Sequence, residues 1–245
     1  MRFLKKQVAV NGLIACLIAL GLAAGCASTK ISNQQQVVTG ALPRPNQIWV
    51  YNFAATPADV PPESSLAGEA TPSAEPQSAD EIAEGRKLAA QIATELAQLI
   101  RAMGMPATTG SAATRPQLND LVIEGSILSI EQGSAAKRIA IGFSAGGSEM
   151  KVAVEGFQMT ANGLRKLGSA DIGSTGNKTP GSAVGLAVLI ATHNPAGLIV
   201  STGMKVYGEK SGSNTIEGRA KKIAEEISEA LKKRFQEQGW ISSAV

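Results

Sequence analysis

Glu149-Met150-Lys151-Val152-Ala153-Val154-Glu155, running on through Thr160 to the pair Asn162-Gly163, decides the fold class of this chain. Met150, Val152 and Val154 point one way while Glu149, Lys151 and Glu155 point the other. That period of two is the mark of a strand with one buried and one wet face. Asn162-Gly163 supplies the return, because both central residues of a type I′ turn need positive φ. The spacing therefore predicts a hairpin with strands over about 148–160 and 164–174. A sheet of this kind must cover its apolar face with something.

Two helices flank the hairpin in the sequence and can provide that cover. Ser78-Ala79-Asp80-Glu81 reads as a capping box, with the serine oxygen reaching an amide three residues on and the glutamate reaching back. Ile82, Leu88, Ile92, Leu96, Leu99, Ile100 and Met103 then recur at steps of three and four, and Gly104 and Pro106 end the helix. A closing helix is predicted over 214–239. Asn214 and Glu217 stand at its start, Ile216, Ala220, Ile223, Ile227, Leu231 and Phe235 form its stripe, and Gly239 ends it. Ile48-Trp49-Val50-Tyr51-Asn52-Phe53 and the stretch from Leu121 to Ile130 read as further strands. The expected architecture is an α+β (α/β) two-layer domain over residues 48–240. Its mixed or antiparallel sheet has about four strands, with the helices packed on one face. Residues 54–79, rich in proline and poor in large apolar side chains, are expected to be a disordered loop within it.

The N-terminus carries a different message. Arg2, Lys5 and Lys6 precede an uncharged apolar run of 16 residues from Gln7 to Leu22. That is short for a membrane span of roughly 20 residues and usual for a signal sequence. Residues 1–25 are therefore read as a signal peptide. Its end, Leu22-Ala23-Ala24-Gly25 before Cys26, resembles the bacterial lipobox. The resemblance implies that Cys26 is acylated and becomes the first residue of the mature chain, with palmitate among the acyl groups. Two or more chains would anchor it stably. Ala27 in place of an aspartate implies the periplasmic face of the outer membrane. Residues 26–47, polar and ending in Pro43 and Pro45, are expected to be a flexible tether.

Composition narrows the function classes. Removing residues 1–25 leaves 220 residues with 20 basic and 20 acidic side chains, so the formal charge of +3 leaves with the signal. No basic surface for nucleic acid is expected. Cys16 lies inside the signal and Cys26 is taken by acylation, which leaves no thiol for a disulfide, a thiolate metal site or a cysteine nucleophile. His193 stands alone, and no G-x-S-x-G elbow accompanies it. No catalytic residue, metal ligand or cofactor site is assigned, and the chain is expected to be non-enzymatic.

Between the second and third long strands lies Lys137-Arg138-Ile139-Ala140-Ile141-Gly142-Phe143-Ser144-Ala145-Gly146-Gly147-Ser148. It lacks the spacing of a P-loop or a dinucleotide fold and reads as a bend where backbones approach closely. The arginine, the short apolar strand, Gly142-Phe143, the pair Gly146-Gly147 and the alternating strand ending in Asn-Gly together resemble the bacterial lipoprotein family DUF4410. The likeness covers about 46–238. It implies an envelope lipoprotein with an α/β domain and structural roles for Gly142, Gly146 and Gly147. More distantly, the order of elements is similar to the curli-secretion and penicillin-binding-protein-activator lipoproteins.

Residues 179–204 carry no charge if His193 is neutral. Interrupted by Thr192-His193-Asn194-Pro195, they read as two short apolar arms on the sheet or a glycine-rich oligomer contact, with membrane insertion as the competing reading. The function expected from the whole sequence is an envelope lipoprotein binding a protein partner, the cell wall or further copies of itself. The alternative is a subunit of an outer-membrane pore or export assembly using residues 179–204.

Overall fold

The hairpin predicted at the centre of the chain is the centre of the sheet. In the computed structural model, which describes residues 28–67, 78–131, 149–175, 199–200 and 216–242, β5 (Glu149–Thr160) and β6 (Gly163–Thr175) pair antiparallel from Glu149 opposite Thr175 to Thr160 opposite Gly163. The turn differs from the expectation in one respect. Only Gly163 has positive φ, at 101°. Ala161 and Asn162 form the turn, and the residue without a Cβ follows it, in the manner of a turn closed by a glycine bulge.

Around this hairpin the sheet is wider than expected. Its order is β1 (Ser28–Gln36), β6, β5, β4 (Leu121–Glu131), β2 (Ile48–Tyr51), β3 (Ala107–Gly110), with β7 (Ile199–Val200) also paired to β4. β1, β6, β5 and β4 form an antiparallel series, while β2 and β7 join β4, and β3 joins β2, as parallel pairs, so the sheet is mixed. Among the described residues, seven strands replace the roughly four expected. β3 and β7 are too short to leave a pattern. β1 escapes because an edge strand has one partner and lies largely in solvent, so it needs no apolar alternation. Only Ile31 is apolar in Ser28–Gln36. The expected tether is thus corrected over these residues. They are a strand registered against β6.

The helices form as predicted. α1 (Ala79–Ala102) starts on the capping box, with Ser78 Oγ accepting from the Glu81 N–H at 3.3 Å and the Ser78 N–H donating to Glu81 Oε2 at 2.8 Å. α2 (Ile216–Glu237) ends at Gly239, which has φ 69°. The expected cap, Asn214, lies outside the described residues. α1 packs on β2, β3 and β4, α2 on β1, β5 and β6, and the two helices pack on each other. Leu88, Ile92, Leu96 and Ile100 of α1 and Ile223 and Ile227 of α2 share one core with Ile48, Val50, Ile123, Val152 and Ile172 from one face of the sheet.

Of residues 54–67, Ala54 extends the pairing of β2 with β4, Ala55 joins the core under the helices, and the rest covers the opposite face. Their expected disorder is corrected for this part of the loop, while residues 68–77 lie outside the described residues. Pro57–Asp59 forms a short 3-10 turn, Thr56 and Ser64 are buried, and Ala54 bridges to Ser126 of β4. Ala55 is anchored by apolar burial, while polar bonds to Glu155 hold Ser64 and Ser65. Of residues 179–204, only Ile199–Val200 is described, and it lies on the sheet as β7.

Two substitutions probe this framework. Leu96→Ala, at a fully buried site, should lower unfolding stability by about 2–5 kcal/mol. Ser78→Ala should lower it by about 1 kcal/mol. Urea denaturation followed by circular dichroism separates the two.

Candidate functional site

Leu22, Ala23, Ala24, Gly25, Cys26, Gly142, Gly146, Gly147 and His193 all lie outside the described residues. What the structure brings together is elsewhere, on the two faces of β5.

On the face away from the helices, the β4–β5 register places Glu124 directly opposite Glu155. Glu155 is fully engaged. The Ser64 hydroxyl donates to Oε2, the Ser65 hydroxyl donates to Oε1 at 2.7 Å, the Ser65 N–H reaches both oxygens, and Lys166 Nζ of β6 pairs with Oε1. Burial pushes this carboxyl up, but Lys166 and the two serines outweigh it and hold it below the ordinary range. Glu155 is therefore an ionised latch that fastens residues 64–65 to the sheet. Asp59, bonded to Thr56 Oγ1 at 2.8 Å and paired with Arg86 of α1 at 2.8 Å, fastens the same segment at its other end. The exposure of Arg86 makes that second pair weak.

Glu124 is the opposite case. It is 1% exposed, and neither of its oxygens has a hydrogen-bond partner. Burial, with Glu63 and Glu155 nearby, pushes its pKa up to about 8. A carboxylate cannot be kept ionised there without a counter-charge, so Glu124 is a neutral acid at neutral pH. Burial, then the charges of Glu124 and Glu63, raise the neighbouring Tyr51 phenol, with Arg115 opposing. Gly125, next in β4, faces the helices instead, where a Cβ would lie 2.5 Å from the Phe53 ring of the core. Glu124 had a visible signal, an acid alone inside the apolar run from Leu121 to Ile130. What that run could not show was the loop that seals it. Among the described residues no three His, Cys, Asp or Glu side chains have the geometry to hold a metal ion.

On the helix face, beneath the C-terminal half of α2, lies an apolar cavity of about 170 Å³. Its floor includes Gly156 opposite Gly168 and Ala170 opposite Val154, beside Leu121, Ile123 and Ile172, and Ile227, Leu231 and Phe235 form its roof. One end is closed by the Phe235–Trp240 ring pair, with centroids 5.5 Å apart. Trp240 Nε1 donates to the Leu42 carbonyl at 3.2 Å, and the Leu42 N–H donates to Gln238 Oε1 at 2.6 Å. The end of α2 thus clasps the segment between β1 and β2.

Residues 48–192 match the family described as Domain of unknown function (DUF4410). The chain belongs to this family. The match takes in β2 to β6 together with Gly142, Gly146 and Gly147, and leaves β1 and α2 outside it. Two similar solved structures are PelC dodecamers from Paraburkholderia phytofirmans. One, a point variant, is 16% identical with a TM-score of 0.34, covering 69% of this chain and 97% of that one. The other is 15% identical with a TM-score of 0.34, covering 71% and 100%. No curated protein matches the chain.

The carboxylate site has a definite pH signature. The folded-state pKa of Glu124 is raised from 4.5 to about 8, so the folded chain holds a proton there that the unfolded chain has lost. The stabilising effect of that proton is complete below pH 4.5 and declines by about 1.4 kcal/mol per pH unit until the pH passes about 8. Glu124→Gln should flatten this decline and raise the thermal midpoint at pH 8.5. Melting curves of both proteins from pH 5 to 9 check it. Parallel slopes would mean that Glu124 is already ionised when folded.

Proposed function

We propose that the chain is a lipoprotein of the bacterial envelope, held by acyl groups on Cys26 at the periplasmic face of the outer membrane. Its α+β domain acts by binding a protein partner, not by catalysis. The observation that carries this reading is the outer edge of β1. Among the described residues no strand pairs with that side. A bare edge offers a row of backbone donors and acceptors to another chain. Two of the large apolar side chains left in solvent stand on or beside it, Ile31 at 36% and Val37 at 59% exposure.

A bulge between Ser32 and Gln35, where Asn33 adopts φ 48°, divides this edge into two short segments. Such a break limits indiscriminate pairing and favours a partner shaped to it. Backbone pairing also favours a protein over the glycan of the cell wall. Ser28, the first residue of β1, is two residues beyond Cys26, so the acyl groups would hold this edge close to the membrane surface. Among the described residues no helix is long and apolar enough to cross a membrane.

Cys26→Ala, exported by a cleavable signal without a lipidation site, should leave the membrane fraction for the soluble one. A photo-reactive residue at Gln34 on β1 should give one discrete crosslinked species in cells, and the same residue at the exposed Gln98 of α1 should not. Continued membrane retention without Cys26 would remove the lipid from the account. Equal crosslinking at both positions would remove the edge.

A further inference from the structure

The cavity beneath α2 is not explained by the edge of β1 or by the lipid on Cys26, and it has a definite cause in the sequence. Gly156 lies in the middle of β5, where glycine weakens a strand and packs nothing. Its backbone is not left-handed, and a Cβ built on it meets nothing within 4 Å. The neighbouring Gly168 differs. A Cβ there would lie 2.5 Å from the Gln35 carbonyl oxygen, so close approach of β1 requires it. A bulge follows Gly156 before Phe157, yet the conformation of Gly156 would accept any side chain. What the glycine preserves is the space above it. Interiors ordinarily fill such space, because unfilled volume forfeits contacts on every wall.

We propose that this cavity is a binding site for a single alkyl chain carrying a polar head. Three properties point to that class. The size comes first: 170 Å³ slightly exceeds an engineered apolar cavity of about 150 Å³ that holds benzene, so about six carbons fit inside. The second is the absence of any polar demand in the interior. Among the described residues, the only buried side-chain atoms without partners are those of Glu124, on the other face of the sheet. The part of a ligand that enters therefore needs no hydrogen-bonding group, and would be penalised for one. The third is the polar part of the lining, Gln34, Gln35, Gln36, Arg234 and Gln238, of which Arg234 pairs with Glu237 and Gln238 bonds to Leu42 and Gly40. A hydrocarbon tail would sit between the strand floor and α2, with its head among these amides and the guanidinium.

The ligand is a separate amphiphile and not the acyl group on Cys26. Of the lining residues on β1, Ile31 is five residues beyond Cys26 and Gln35 is nine. Along extended strand that is roughly 16 to 30 Å, so a chain fixed in a bilayer at Cys26 would have to leave the bilayer to enter here.

Trp240 lines the cavity and Trp49, the other tryptophan, lies on β2 away from it. In the full exported chain carrying Cys26→Ala and Trp49→Phe, Trp240 is therefore the sole indole reporter. Titration with 11-bromoundecanoate, below its micelle concentration, should quench Trp240 saturably, because bromine quenches on contact. Unbrominated undecanoate should reverse the effect. Gly156→Val fills the floor and should weaken the probe by about tenfold or more, with the thermal midpoint unchanged or higher. Gly156→Ala, whose added methyl has free space, should weaken it less and decides the matter if the valine variant does not fold. Absence of saturable quenching overturns the proposal, as does equal quenching in the glycine variants. A lipidated protein with native Cys26 that refuses the probe would place its own acyl chain in the cavity, and would overturn the separate ligand.

Discussion

The antiparallel register of β4 against β5, with Glu124 opposite Glu155 and Ile127 opposite Val152, is the constraint on which the rest of the structure depends. Strand side chains alternate, so a slip of one residue would turn Ile123, Ile127 and Val152 out of the core and carry Glu124 into it. The apolar alternation of both strands fixes the register against the helices. Everything on the opposite face then follows without choice: two glutamates must meet there, and the sheet must tolerate them.

The two carboxylates are tolerated in different ways. Glu155 keeps its charge because Lys166, the fourth residue of β6, and the serines of the covering loop supply donors. Glu124 has no donor, and remains only by holding its proton. One loop does both things at once: Ser64 and Ser65 bind Glu155 while Glu63 comes near Glu124. The attraction that fastens the loop and the repulsion that loads it are thus one residue apart. Their balance depends on a proton.

Much of the core was legible in the sequence, and the reasons are specific. The capping box at Ser78, the stripes of both helices and the alternation from Met150 to Val154 each rest on local periodicity, and each stands where expected. β1 was not legible, because Thr29-Lys30-Ile31-Ser32-Asn33-Gln34 has the composition of a tether and is held to β6 by its backbone and a few polar side chains, such as Asn33 on Asp171. The covering loop was not legible either. Its cohesion comes from Glu155, some ninety residues away, and no local pattern announces a bond of that range. Arg219 shows the same limit: one charge among many on α2, it is fully buried, with Glu149 of β5 as a favourable charge.

Gly156 stands next to Glu155, and the alternation of the strand sends their demands to opposite sides. Glu155 faces a segment held by polar bonds, which are directional and released by protons or salt. Gly156 faces the helix layer, held by buried apolar area, which is insensitive to both. Loosening the loop therefore need not open the cavity, and filling the cavity need not disturb the latch. Sheets separate functions well for this reason. A single strand can carry an electrostatic fastening on one face and an apolar receptacle on the other, with only the thickness of a backbone between them.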